Sequence, residues 1–396
     1  MRKPLLLIIG LLFLIAIEIL KVYFIMPFPG SQYDNTIGVA YFIDQYIWLL
    51  RLIGIVMVIG PLLHYLRKGR WWQKSLLVIV VLFYGVVVYA FNFKFLADKM
   101  FYQPKIKEFA GGTADTTDKN KLVIGVAING EARAYPIQII GYHHQVKDTV
   151  GGKPIMVTYC TVCRTGRVYS PFVNGKYELF RLVGMDHFNA MFEDATTKSW
   201  WRQATGTAIT GKLKGTQLPE VPSSQMRLGD WMTLHPNSTV LQPDTTYAGE
   251  YADLKDYDDG TIKGGLEKRD STSWAFKSWV VGLNIYGEAK AYDWNELVSK
   301  KLIQDSVGNI PVALVLAPNG KTFYALNRNL NGETLHLAYD TTKGVLTDAE
   351  THSTWALSGA CIDGVAKSYS LKPVQAYQEF WHSWRSFHPG TKQYGE

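Results

Sequence analysis

Cys160 and Cys163 are two of the three cysteines in a chain of 396 residues, and they stand in the stretch VTYCTVCRTG. Two thiols with two residues between them can face one side of a turn. Such a pair can exchange disulfides, supply half of a metal site, or close a structural disulfide. All three readings are open from the spacing alone. For a metal, further ligands are needed, and His143 and His144 lie just before the strand that ends in Cys160. The expected metal set is therefore Cys160, Cys163, His143 and His144. Two thiolates with two imidazoles suit zinc, whereas thiolates with imidazole and thioether suit copper. His187, with Met185 and Met191 in GMDHFNAMF, offers the second kind of ligand but reads first as packing. His143 and His144 also fit ordinary capping roles. Cys361 reads as a buried core thiol.

The elements that must position these residues are repeated. VIGVAINGEARAYP from Val123 matches VVGLNIYGEAKAYD from Val280, at an offset of 157. Asn129-Gly130 between apolar runs predicts a two-residue hairpin. DTVGGKP from Asp148 meets DSVGNIP from Asp305 at the same offset, and GTAITG from Gly206 meets GACIDG from Gly359 at 153. A period this long is a duplicated domain, and the two halves are expected to pack on each other. The tryptophans, among them Trp200, Trp201, Trp355, Trp381 and Trp384, read as core. Trp231, His235 and Pro236 recur as Trp384, His388 and Pro389, which reads as structural.

The duplication bears on the cysteines. Cys160 to Cys163 falls on Ala317-Pro318-Asn319-Gly320, plain turn chemistry between two strands. The pair is thus expected on a hairpin turn, not at a helix N-terminus where the dipole would lower a thiol pKa. The second copy lacks both cysteines and has Lys300 and Lys301 in place of His143 and His144. The first copy is expected to carry any site and the second to be structural. Tyr251 to Gly265, rich in Asp, Lys and Gly, reads as an exposed linker.

The N-terminal part is different. Three apolar runs, from Leu5, from Ile47 and from Ser75, are each close to the ~20 residues that cross a bilayer as a helix. Of the 41 Lys and Arg and 34 Asp and Glu, the first 96 residues hold nine and three, leaving 32 against 31 for the remainder. Six of the seven net positive charges therefore belong to the membrane part. No basic stripe on the larger part argues for nucleic acid. Arg2 and Lys3, and RKGRWWQK from Arg67, predict a cytoplasmic N-terminus and a large domain outside. Glu18 and Lys21 are placed to pair on the first helix, and Arg51 lies deeper in the second.

The expected architecture is three transmembrane α-helices followed by a β-rich α+β external domain of two tandem homologous halves. The divisions are a membrane anchor over 1–96, a first repeat over 97–250, a linker or long loop over 251–270 and a second repeat over 271–396. The bilayer is the one partner expected from this reading.

The motifs A-x-A-Y-P from Ala132, D-T-V-G-G-x-P from Asp148, T-Y-C-x-x-C-x-T-G from Thr158, the stretch at Ser199 and G-x-A-I-x-G from Gly206 resemble the bacterial domain of unknown function 3179. The likeness runs from about Val123 to Leu241, with the second copy a degenerate version. The family pattern C-P-x-C-G is C-T-V-C-R here. The resemblance implies an extracytoplasmic or membrane-tethered bacterial domain and supplies no activity. The expected function is metal binding, to copper or zinc, through the cysteine turn. A thiol-disulfide oxidoreductase and a binding or scaffolding module with a structural disulfide are the alternatives.

Overall fold

The computed structural model describes residues 2–396; Met1 and the side chain of Arg2, one of the charges behind the expected orientation, lie outside the described residues. The chain forms two compact units. One comprises Met1–Tyr102, Glu178–Arg202 and Thr207–Gln217; the other comprises Gln103–Tyr177, Gln203–Gly206 and Leu218–Glu396.

In the first unit, three helices are long and apolar enough to cross a membrane. They are α1 (Arg2–Tyr23), α2 (Ile37–Lys68) and α3 (Trp71–Tyr89). At 1.5 Å per residue the 32 residues of α2 span about 48 Å, more than the ~30 Å hydrocarbon core, so its ends reach beyond the apolar slab. Leu7, Leu14, Ile43, Ile47, Val58 and Leu77 pack as the inner seam of these helices.

The charges inside this bundle are paired differently from the expectation. Glu18 is fully buried and accepts both arms of Arg51, at 2.6 and 2.8 Å. Asn92 donates to Glu18 at 2.8 Å and accepts from Arg51 and Lys21 at 2.9 and 3.0 Å. The bidentate guanidinium satisfies both carboxylate oxygens, which the single ammonium of Lys21 three residues away would not. Lys21 reaches Glu18 only through Asn92.

The same unit holds an antiparallel sheet of Phe180–Asp186, Asn189–Asp194 and Trp200–Arg202. Asp194 closes the turn before its last strand, accepting from Thr197 and Ser199 and from the indole of the buried Trp201. Asp348, Thr351, Ser353 and Trp355 repeat that arrangement atom for atom in the second unit. The sequence carries its signal as DATTKSWW against DAETHSTW.

The second unit contains two series of elements in the same order. Leu122–Ile128 and Glu131–Pro136 form a hairpin, the helix Ile137–His143 follows, and Gln145–Val150, Lys153–Cys160 and Thr165–Tyr169 make a three-stranded sheet. Trp279–Ile285 and Glu288–Asp293, the helix Trp294–Lys300, and Leu302–Val307, Ile310–Leu316 and Phe323–Asn327 repeat that order. Each hairpin is crossed by a short helix, Leu228–Leu234 or Trp381–Phe387. The crossing is close because a strand residue is glycine. A Cβ on Gly125 would sit 2.3 Å from Trp231, and one on Gly282 would sit 2.2 Å from Trp384. The indoles lie on those glycines, stack on His235 and His388, and donate to Ser238 and Thr391. Both histidines therefore serve packing.

The stretch expected as an exposed linker or long loop is mostly exposed turn and loop, tied down at a few inward-facing residues. Ala248–Asp253 is helical, and Tyr251, Tyr257 and Asp258 are buried. Hydrogen bonds made by Tyr257 and Asp258 hold it down.

The membrane network makes a testable demand. Removing one member of a buried pair leaves a charge without its partner, at a cost of about 3 kcal/mol or more. Arg51→Leu should lower the thermal midpoint of the full chain in detergent, and Glu18→Leu/Arg51→Leu should recover most of the loss. A double variant no more stable than the single one would refute the pairing.

Candidate functional site: a buried cysteine turn

Cys160 ends one strand and Thr165 begins the next, opposite it in register. The four residues between form a turn, and Arg164 takes a left-handed backbone with φ +55° to complete it. The pair therefore stands on a turn between strands. Neither sulfur is exposed, and Thr161, Val162 and Arg164 are buried with them.

A buried turn has carbonyls with no ladder to pair with, and each must find a donor. Tyr257 Oη donates to Thr161 O at 2.8 Å. Lys277 Nζ donates to Val162 O at 2.5 Å. The amide of Phe380 donates to Cys163 O at 3.0 Å. Arg164 anchors the far end. Its Nε donates to Gln378 Oε1 at 2.9 Å, its other nitrogens reach the carbonyls of Tyr257 and Asp258, and its guanidinium lies 3.9 Å from the centre of the Trp279 ring.

The second series supplies the groups that face the sulfurs. His382 Nε2 lies 3.5 Å from Cys163 Sγ. His382 Nδ1 lies 3.0 Å from the carbonyl of Phe276, which only accepts, so Nδ1 carries the proton and Nε2 is left to accept the Cys163 thiol hydrogen. The imidazole is stacked on Phe276 at 4.3 Å. Burial pushes the Cys163 thiol well above its usual range, reinforced by its hydrogen bond to Cys160 and only partly opposed by Lys277 and Ser383. Burial, with the charge of Lys277, holds His382 well below its usual value. Burial also lowers Lys277, against the pull of both cysteines. Cys163 thus rests as a neutral thiol beside a neutral imidazole and a partly desolvated amine. Behind them, Glu379 is buried against Arg167 and accepts from Ser383 at 3.0 Å.

This corrects the expectation that the second series is only structural. His382, Lys277, Phe380 and Gln378 all come from it. The sequence reading missed His382 and Lys277. At the 153 offset Gly229 stands where His382 stands, so His382 is a side chain the repeat does not account for, and that was the available signal.

The other expected ligands are placed elsewhere. His143 Nε2 lies 2.6 Å from the hydroxyl of Tyr251, among Tyr142 and Tyr247. His144 caps the helix Ile137–His143 with φ +56°, and its Nδ1 lies 2.9 Å from the carbonyl of Tyr159. Lys301 takes the same cap position, with φ +61°, after the helix Trp294–Lys300. Among the described residues no group of three or more His, Cys, Asp or Glu side chains is placed to hold a metal ion. His187 pairs with Asp186 at 2.6 Å, while Met185 and Met191 are buried. Cys361 is buried in an apolar cluster.

The buried imidazole of His144 sets a pH dependence. Burial lowers it to about 4, so the unfolded chain binds a proton between pH 6.5 and 4 that the folded chain does not. Stability should be intact above pH 6.5 and fall toward pH 4, with a share from His144 of roughly 2 kcal/mol by pH 5. Denaturation at pH 7 and pH 5 should show a smaller loss for His144→Asn than for the parent. An equal loss in both would remove His144 from the explanation.

Neither the curated proteins nor the solved structures contain a match to this chain. A family profile described as protein of unknown function (DUF3179) matches residues 102–391. The match covers both series of elements and the cysteine turn they enclose, and the chain belongs to the DUF3179 family.

Proposed function

We propose that this is a bacterial inner-membrane protein whose large domain lies outside the cytoplasm and holds a single copper(I) ion between Cys160 and Cys163. The Lys and Arg before α1 and between α2 and α3 support a cytoplasmic N-terminus. The equal order of the two series supports a duplicated domain, its first copy bringing the cysteines and its second the groups around them.

The observation that carries the metal reading is the amine of Lys277 held on Val162, between two buried thiols. Copper(I) is soft and forms stable two-coordinate complexes with thiolates. Binding releases two thiol protons and leaves a complex of charge −1. Lys277 neutralises that charge where water cannot. Zinc requires four ligands in a closed site, and no such set is assembled among the described residues. The reading keeps the two cysteines of the expected set and leaves His143 and His144 with their tyrosine and backbone partners.

One observation favours a second reading. Nε2 of His382 is aimed at the Cys163 thiol, as a base for thiol-disulfide exchange would be. Against it, neither sulfur is exposed to a protein disulfide in this conformation.

The full chain, purified in detergent without air or chelator, should carry about one copper per chain by elemental analysis. Cys160→Ser/Cys163→Ser should carry none. An equimolar zinc content, or no metal with two thiols converted to one disulfide by mild oxidant, would overturn the copper reading. The second of these outcomes would establish the redox one.

A further inference from the structure

Beside Arg164, the second unit has a cavity of about 290 Å³. Its lining includes Asp258, Arg269, Trp279, Arg164, Lys321 and Trp294. Three buried polar atoms there lack a partner: Asp258 Oδ1, Arg269 Nε and Trp279 Nε1. Asp258 is 5 % exposed and Trp279 6 %. Orphaned buried groups are rare, because each forfeits its hydration without a replacement partner. Three around one cavity indicate that something else completes them.

We propose that this cavity binds a small hydroxylated organic anion of the sugar-acid class. Charge selects the anion. Arg164 and Arg269 lie on the Trp279 indole at 3.9 and 4.1 Å, and Lys321 stands on the rim, paired with Asp259 at 2.6 Å. The two guanidiniums repel each other, so an anion beside them relieves a strain that water would relieve less. The orphaned atoms select the rest. Arg269 Nε and Trp279 Nε1 are donors and fit carboxylate or hydroxyl oxygens. Asp258 Oδ1, on a residue that lines the same cavity, is an acceptor and fits a hydroxyl. Asp258 Oδ2 is already used by the amide of Leu122 at 2.9 Å, which fixes the carboxyl in place. Burial also pushes the Asp258 carboxyl up, which reduces its repulsion of an incoming anion. Trp279 and Trp294 give the apolar faces on which a sugar ring packs. The volume fits one monosaccharide and no more. A plain phosphate would meet the arginines but has no apolar ring face to pack on Trp279 and Trp294. The inference is independent of the copper reading, because none of the three orphaned atoms touches a sulfur.

The test is calorimetric titration of the full chain in detergent with glucuronate, glucose, acetate and inorganic phosphate. Glucuronate should bind at least tenfold more tightly than the other three, about the worth of one charged hydrogen bond. Arg269→Gln, Trp279→Phe and Asp258→Asn should each weaken it by about tenfold. Lys321→Gln, changed at a partly exposed side chain, should weaken it by a few-fold and guards against loss of fold. Glucuronate binding no tighter than glucose or phosphate would overturn the proposal, as would equal binding by all four variants.

Discussion

Three carbonyls that cannot be left unpaired organise the larger unit. The turn from Thr161 to Arg164 is buried, and its carbonyls point away from any strand ladder. Each is answered by a group from far along the chain: Tyr257, Lys277 and the amide of Phe380. Those three anchors explain the surrounding architecture. Tyr257 requires the segment after Tyr251 to lie down on the fold. Lys277 requires the start of the second series to run beside the first. Phe380 brings the helix Trp381–Phe387, and with it His382, to the sulfurs. Gly282 lets that helix come close enough, because any Cβ there would meet Trp384.

Electrostatics at the turn follow from the same burial. The Cys163 thiol, the His382 imidazole and the Lys277 amine are each shifted toward the neutral form. Such a group of neutral ligands is stable as it stands and becomes anionic only when something compensates the charge. In the proposed copper reading, a soft cation would do so at the sulfurs and Lys277 beside them. In the first unit the opposite solution appears. Glu18 and Arg51 are kept as a bidentate pair, with Asn92 completing both. An apolar surround accepts full charges there because every oxygen is matched to a donor.

Local features were legible in the sequence. Asn129-Gly130 marked its hairpin, the three apolar runs marked the spans, and Pro318-Asn319-Gly320 identified Cys160 to Cys163 as a turn. The motifs around the cysteines identified the family. Features that depend on distant partners were not legible. Lys277 lies 115 residues from Val162, and His382 lies 219 from Cys163. Periodicity reports which face of an element is apolar, not which element covers it. Glu18 was read with Lys21 because spacing of three is local, whereas the pairing chosen by geometry is with Arg51, 33 residues away. The inward anchors of the Tyr251 to Gly265 stretch were hidden for a related reason. Its composition is polar, but Tyr257 and Asp258 are used inward.

The central claim is that Lys277 makes the buried pair fit for a singly charged copper complex. Competition titration with a copper(I) chelator, comparing the full chain with Lys277→Met, tests it most directly. Methionine keeps the length and apolar stem and removes the charge. The account predicts copper binding about tenfold weaker in the variant, the worth of one partly buried charge interaction. Equal affinity in the two proteins would contradict it.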